Sequence, residues 1–213
     1  DAQESRGLGD VYKRQVIYLA RYSEEKQHAL LLSAFRQVVK AIPDAQLHTY
    51  GVGPLRRSLS AQVAEWGLEQ AIHINGFTSD IAQAHKTACC TVLCSTQEGQ
   101  SISAVEAMAY GTPLISFAIK YGPRDILQDR QAGILVPCGD EGALAAAMIK
   151  VISDKTLQQS MQQAALRNAQ RYYASAIAGR WAAWRQASER QLDTGTELES
   201  RPEKKRHQAA NVG

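Results

Sequence analysis

The sequence contains no run of about eighteen apolar residues, so no segment is read as crossing a bilayer, and its first thirty residues lack the apolar stretch of a secretion signal. Cysteine is scarce, with four in 213 residues and no C-x-x-C spacing. Cys89, Cys90 and Cys94 fall in one apolar run and Cys138 stands alone, which fits buried, reduced thiols better than a metal site. His48, His73 and His85 share no ligand-like spacing with one another or with cysteine, so each is expected to be structural. Aromatic residues make up 7% and the formal charge is only +3, so neither a dense stacking surface nor a basic footprint points to nucleic acid. Together these absences lead to the expectation of a cytoplasmic protein with no metal, no cofactor and no nucleic-acid partner.

What is present is an apolar content of 45% in a length that suits one domain, or one and a fraction. Residues 1–15 begin without methionine and carry no helical or strand period, so they are read as a leader or fragment boundary outside the fold. Residues 191–213 are polar, include ESRPEKKRH, and are expected to form a disordered tail. Between them, residues 16–190 alternate strand and helix signals. Short apolar runs at Val16–Ala20, Gln46–Tyr50, Ala71–Ile74, Thr91–Cys94, Pro113–Phe117 and Ile134–Val136 predict six strands. Helical periods run through Leu30–Val39, Leu55–Trp66, Ser79–Thr87, Ile102–Tyr110, Glu141–Ser153 and Leu157 to about Ser188. Trp181 and Trp184, three apart in the last of these, share one side and are expected to pack it onto a neighbour.

Strict alternation with short connections predicts an α/β fold: a Rossmann-like, three-layer parallel sheet with helices on both faces. Ligands of such sheets sit beyond the carboxyl ends of the strands, where loops carrying Arg21, Gly51, Gly76 and Glu98 must emerge. Gly51-Val52-Gly53-Pro54 opens like a dinucleotide fingerprint, yet Arg56 stands where the third glycine is needed, leaving a tight turn or a ligand-lining loop as equal readings. No acidic residue follows at a strand end about twenty residues on, which argues against a nicotinamide dehydrogenase. Arg21 and Lys26 are suited to neutralising a diphosphate; alternatively they are solvated charges paired with Glu24 and Glu25. In STQEGQSISAVEAMAYG, Glu98 and Gly99 precede a helix whose first amides and positive dipole end suit an anion. Glu98 and Glu106 would then accept hydrogen bonds from ligand hydroxyls, the alternatives being a surface carboxylate and a Ser103-x-x-Glu106 capping box.

Taken together, VIYLARYSEEKQ, PDAQLHTYGVGP, HINGF, STQEGQSISAVEAMAYGTPLIS and YGPRDILQDRQAGILVPCGD resemble, in order and spacing, the donor-binding half of a family-four retaining glycosyltransferase with the GT-B fold, over about Val16 to Trp184. The resemblance implies transfer of a hexosyl group from a nucleotide sugar, with UDP the expected nucleotide, to an acceptor hydroxyl. It implies that Glu98 meets the transferred sugar, that Glu106 holds the ribose, and that Arg21 and Lys26 bind the diphosphate in place of a metal. Gly76, Phe77 and Ser79 would border the base, the amides of Gln100, Ser101 and Ile102 would line the phosphates and sugar, and Gly51 and Gly99 would be further donor-binding residues. The family usually has Phe-Gly where Gln100-Ser101 stand here. Tyr121-Gly122-Pro123-Arg124 resembles the subgroup that glucosylates wall teichoic acid or adds N-acetylglucosamine to serine-rich adhesins, a cell-wall glycan setting. The resemblance further implies an amino-terminal acceptor-binding domain outside this chain and peripheral membrane contact of a full-length protein. A nucleotide-binding module without catalysis and a nucleotide-sugar epimerase of the same architecture remain as alternatives.

Overall fold

The structure, a computed structural model, describes residues 14–127 and 131–199, with side chains through residue 187. Six strands form one parallel sheet in the order β3-β2-β1-β4-β5-β6: β1 Gln15–Leu19, β2 Gln46–Tyr50, β3 Ile72–Ile74, β4 Ala88–Leu93, β5 Leu114–Phe117 and β6 Gly133–Val136. The two central strands are the most apolar, as burial on both faces requires. Val16, Ile17 and Tyr18 of β1 and all six residues of β4 are buried. Register pairs Ile17 with His48 on one side and with Thr91 on the other.

Helix α1 (His28–Ala41) buries His28, Leu31, Leu32, Phe35 and Val38, the three-and-four spacing of a single apolar stripe. That stripe packs on α6 (Glu141–Ser153), whose Leu144, Met148 and Val151 are also buried. The other crossovers are α2 (Arg56–Glu65), α3 (Ile81–Thr87), α4 (Ile102–Ala109) and the single-turn α5 (Pro123–Ile126). Asp80, Asp140 and Asp154 start α3, α6 and α7 (Lys155–Ala169), each side chain accepting from an amide three residues on at 2.8–2.9 Å.

The chain divides into two compact units at Gln170/Arg171. Within the second, α8 (Ala174–Glu199) holds Trp181 and Trp184 edge to face at 5.7 Å, both largely exposed instead of packed away. The single helix expected from Leu157 to Ser188 is in fact α7 and α8, separated by a 3-10 turn at Gln170–Tyr172; Tyr172 and Tyr173 are weak helix formers. Two expected boundaries also shift. Arg14 pairs with Asp44 and Gln15 opens β1, so the end of the expected leader belongs to the fold. At the other end α8 continues through Glu199. Residues 1–13 and 200–213, the remainder of the expected leader and tail, lie outside the described residues.

Candidate functional site

The sheet order fixes where a ligand fits. The connection from β1 runs to β2 on one side and that from β4 to β5 on the other, so a crevice opens between β1 and β4 at their carboxyl ends. Two loops meet there. Thr96 donates its amide to the Glu25 carbonyl at 3.0 Å, and the buried Tyr18 hydroxyl donates to the Lys26 carbonyl at 2.8 Å with Ser95 Oγ beside it at 3.3 Å. Burial raises the Tyr18 phenol well above its ordinary range and pushes Cys94, which leans on the same carbonyl, up to about 12, so both stay neutral scaffolding.

These clamps bring Lys26 and Glu98 together across 72 residues of chain. Lys26 Nζ lies 2.7 Å from Glu98 Oε1, with only 20% and 10% of the two side chains exposed. Arg21, by contrast, is exposed and takes Glu25 at 3.5 Å. Arg21 thus pairs within its own turn, whereas Lys26 pairs with Glu98 instead of Glu24 or Glu25. Glu25 is lowered chiefly by the Ser23 hydroxyl, which donates to it at 2.6 Å, with Arg21 a smaller influence. The guanidinium is thus only loosely held and remains free to turn to an anion.

The only two non-glycine residues with positive φ among the described residues sit at this crevice. Gln27 (φ 51°) leads into α1 and Ser101 (φ 47°) into α4. Each such backbone costs on the order of 1–2 kcal/mol, and strain of this kind gathers where function over-determines geometry. Glycine would adopt the Ser101 backbone without that strain. Ser103 lies inside α4, and the cap residue is Ser101, so no Ser103–Glu106 capping box forms. The side chain of Glu106, half-buried in the second turn of α4, makes no hydrogen bond among the described residues.

The loops after β2 and β3 complete the edge. A Cβ on Gly51 would lie 2.0 Å from the Ala20 carbonyl oxygen, and the Gly51 amide donates to the Gly76 carbonyl at 3.1 Å. Gly51 therefore serves loop-to-loop packing as well as lining the edge. Gly51→Ala is expected to cost about 2–4 kcal/mol, read as a lower urea midpoint at an unchanged slope; an unaltered midpoint would show that the β1 loop yields freely. The buried Tyr22 ring places its hydroxyl within hydrogen-bond reach of the Asn75 carbonyl and of the Thr49 carbonyl and hydroxyl, tying Arg21's neighbour to the β3 loop. Four large apolar side chains stand out on successive loops of this edge: Val52, Phe77, Ile102 and Tyr121, all 57–76% exposed. Ser79, Gly99 and Gln100 are exposed beside them.

Sequence patterns had not singled out Tyr18 or Tyr22 as parts of this edge. Tyr18 looks like any strand residue until its hydroxyl is seen spanning two loops. Gly122 (φ 86°) turns the β5 loop against Ser101, where a Cβ would approach Ser101 Oγ to 2.5 Å.

An open parallel sheet whose central crevice gathers cations, carboxylates and a helix start defines a Rossmann-like ligand-binding domain of the kind GT-B glycosyltransferases contain. The family model described as glycosyl transferases group 1 matches residues 4–168. The chain belongs to that family. It is 26% identical over 165 residues to poly(ribitol-phosphate) alpha-N-acetylglucosaminyltransferase of Staphylococcus aureus (strain COL), covering 77% of this chain and 34% of that protein. It is 25% identical over 170 residues to poly(glycerol-phosphate) alpha-glucosyltransferase of Bacillus subtilis (strain 168), covering 80% of this chain and 25% of that one. The pneumococcal O-GlcNAc transferase GtfA, solved with UDP and GlcNAc, superposes with a TM-score of 0.73 at 25% identity, over 80% of this chain and 35% of that chain. The chain thus spans a quarter to a third of the length of these relatives. Among the described residues no helix is long and apolar enough to cross a membrane, and no three His, Cys, Asp or Glu side chains cluster as metal ligands.

Proposed function

We propose that this chain is the donor-binding half of a retaining glycosyltransferase that moves a hexosyl group from a nucleotide sugar, UDP-linked by analogy with the GtfA complex, to an acceptor hydroxyl. The observation that carries the proposal is the Lys26–Glu98 pair at the β1/β4 crevice. One cation and one carboxylate, held half-dry and 2.7 Å apart, are the groups a sugar diphosphate needs on either side of its scissile bond. In the reaction the bond between the anomeric carbon and the distal phosphate oxygen breaks, and the acceptor oxygen bonds to the same face of that carbon as its proton passes to the departing phosphate oxygen. Negative charge grows on the departing diphosphate. Lys26, Arg21 and the amides entering α4 stabilise it, a contribution that for one preorganised donor is typically about 3–4 kcal/mol. A metal is not required, because these groups supply the positive charge. Glu98 orients the sugar hydroxyls once the diphosphate draws Lys26 toward itself, and Glu106 holds the ribose. Gly76, Phe77 and Ser79 border the base.

The remainder of the active cleft lies on an acceptor-binding domain outside this chain. The exposed Val52, Phe77, Ile102 and Tyr121 give that domain an apolar edge to close upon. The acceptor is a cell-envelope polymer of the kind named in the relatives, reached in the cytoplasm, where the buried free thiols of Cys89, Cys90 and Cys94 stay reduced. Family membership favours neither the epimerase nor the non-catalytic module.

Calorimetric titration of residues 1–213 with UDP, GDP and ADP tests the donor role. Weak, saturable binding of one nucleotide without sugar transfer is expected; vigorous transfer by these residues alone would overturn the half-enzyme assignment. In a protein that includes the acceptor domain, Arg21→Ala and Glu98→Ala are each expected to lower turnover at least about a hundredfold. Near-normal rates in both would remove these residues from the mechanism.

A further inference from the structure

Ser101 carries two penalties that a smaller residue would avoid. Its backbone sits in the left-handed region, which glycine adopts without strain. Its hydroxyl is buried, with the residue 4% exposed, and has no hydrogen-bond partner among the described residues. Serine at a helix start ordinarily repays its place by accepting from an amide in the first turn, and Ser101 makes no such bond although it caps α4. Alanine would remove the orphaned hydroxyl, and glycine both penalties. A buried hydroxyl without a partner is tolerated where its partner arrives from outside.

Its surroundings say what that partner is. Ser101 is three residues from Glu98, whose carboxylate is already held by Lys26, and it begins an eight-residue helix whose positive end faces the crevice edge. The side chain adjoins Gly122, which offers neither a side chain nor a hydrogen bond to it. Rotation about χ1 moves the hydroxyl between staggered positions without backbone rearrangement. A partner at the positive end of α4 is anionic and accepts hydrogen bonds.

We infer that the Ser101 hydroxyl donates a hydrogen bond to a phosphate oxygen of the donor's diphosphate, as a positioning group additional to the cations and backbone amides. This rests on the donor-binding proposal above. A glycine at this position would supply the same backbone without that bond, so the side chain of Ser101 adds a grip on the diphosphate that the backbone alone does not provide.

The test compares UDP with uridine, by calorimetry, for the wild-type chain, Ser101→Gly and Ser101→Ala, with the unliganded melting temperature recorded for each. Both variants are expected to bind UDP about ten- to a hundredfold more weakly, the usual range for a hydrogen bond to a charged group, with uridine affinity unchanged. Ser101→Gly is expected to melt higher than wild type without ligand, which a loss of fold would not produce. Equal UDP affinity in wild type and Ser101→Gly overturns the inference while leaving the donor site standing. Weakening by Ser101→Ala alone does so too, because it would assign the effect to backbone geometry. If wild type binds none of UDP, GDP or ADP, the donor-site proposal fails and this inference fails with it.

Discussion

Lys26→Ala is expected to weaken nucleoside diphosphate binding by about a hundredfold and to lower sugar transfer in the complete protein by at least as much. The side chain is 20% exposed and already anchored at 2.7 Å to Glu98, so its charge is preorganised at the crevice and not borrowed from solvent. Removing it strips the diphosphate of a charge-assisted bond and leaves the Glu98 carboxylate, 10% exposed, without its cation. The second effect is a stability loss of about 1–2 kcal/mol, between the values for exposed and fully buried pairs. Glu98→Gln separates the roles of the two. With the carboxylate gone Lys26 is released to the diphosphate, so UDP is expected to bind as well as or better than to wild type while transfer collapses. Lys26→Ala with undiminished UDP affinity would show that the pair is merely structural.

The second large effect is on stability against acid. His28, His48 and His85 are each lowered to about 4, first by burial and, for His48, next by the stacked His73 ring at 4.4 Å. His28 is enclosed between the rings of Tyr18 and Tyr22 at 4.7 and 4.8 Å, and neither of its nitrogens has a partner among the described residues. Between pH 6.5 and about 4 the unfolded chain binds protons that the folded chain refuses, so stability is full above pH 6.5 and falls as pH drops through that window. Even at about 1 kcal/mol per ring after allowing for residual water, the melting temperature should drop by roughly 6–12 °C between pH 7 and pH 4.5. His28→Leu should flatten part of that slope. A melting temperature constant across the window would refute the burial of these rings as neutral species.

Much of this was legible in the chain. The six strands and their parallel order followed from alternation, since a doubly wound sheet is what short crossovers of right-handed sense can build. Glu98 and Lys26 were marked by residue type and position after strands. Their mutual bond was not, because a distance across 72 residues depends on how the β1 and β4 loops are stitched by Tyr18, Ser95 and Thr96. Those three residues carry no spacing that distinguishes them from ordinary strand-end residues. The alternative of a capping box at Ser103–Glu106 is ruled out because the helix begins one residue after Ser101, and spacing alone does not reveal where the backbone turns left-handed. The break between α7 and α8 was invisible for want of a proline or glycine, the usual punctuation of a helix.

Tyr22 couples two loops of the crevice that the proposed function assigns to opposite ends of the nucleotide. One phenol oxygen sits against both the strand-two backbone and the Asn75 carbonyl, while its ring follows directly on Arg21. The β1 and β3 loops, which the proposed function assigns to the phosphate and the base, therefore share a mechanical joint. Under the proposed function, redesign of the Asn75–Phe77 loop for a different base would be felt as a shifted arginine, and selection for a new nucleotide should recover compensating changes around position 22 before any at the sheet's far edge.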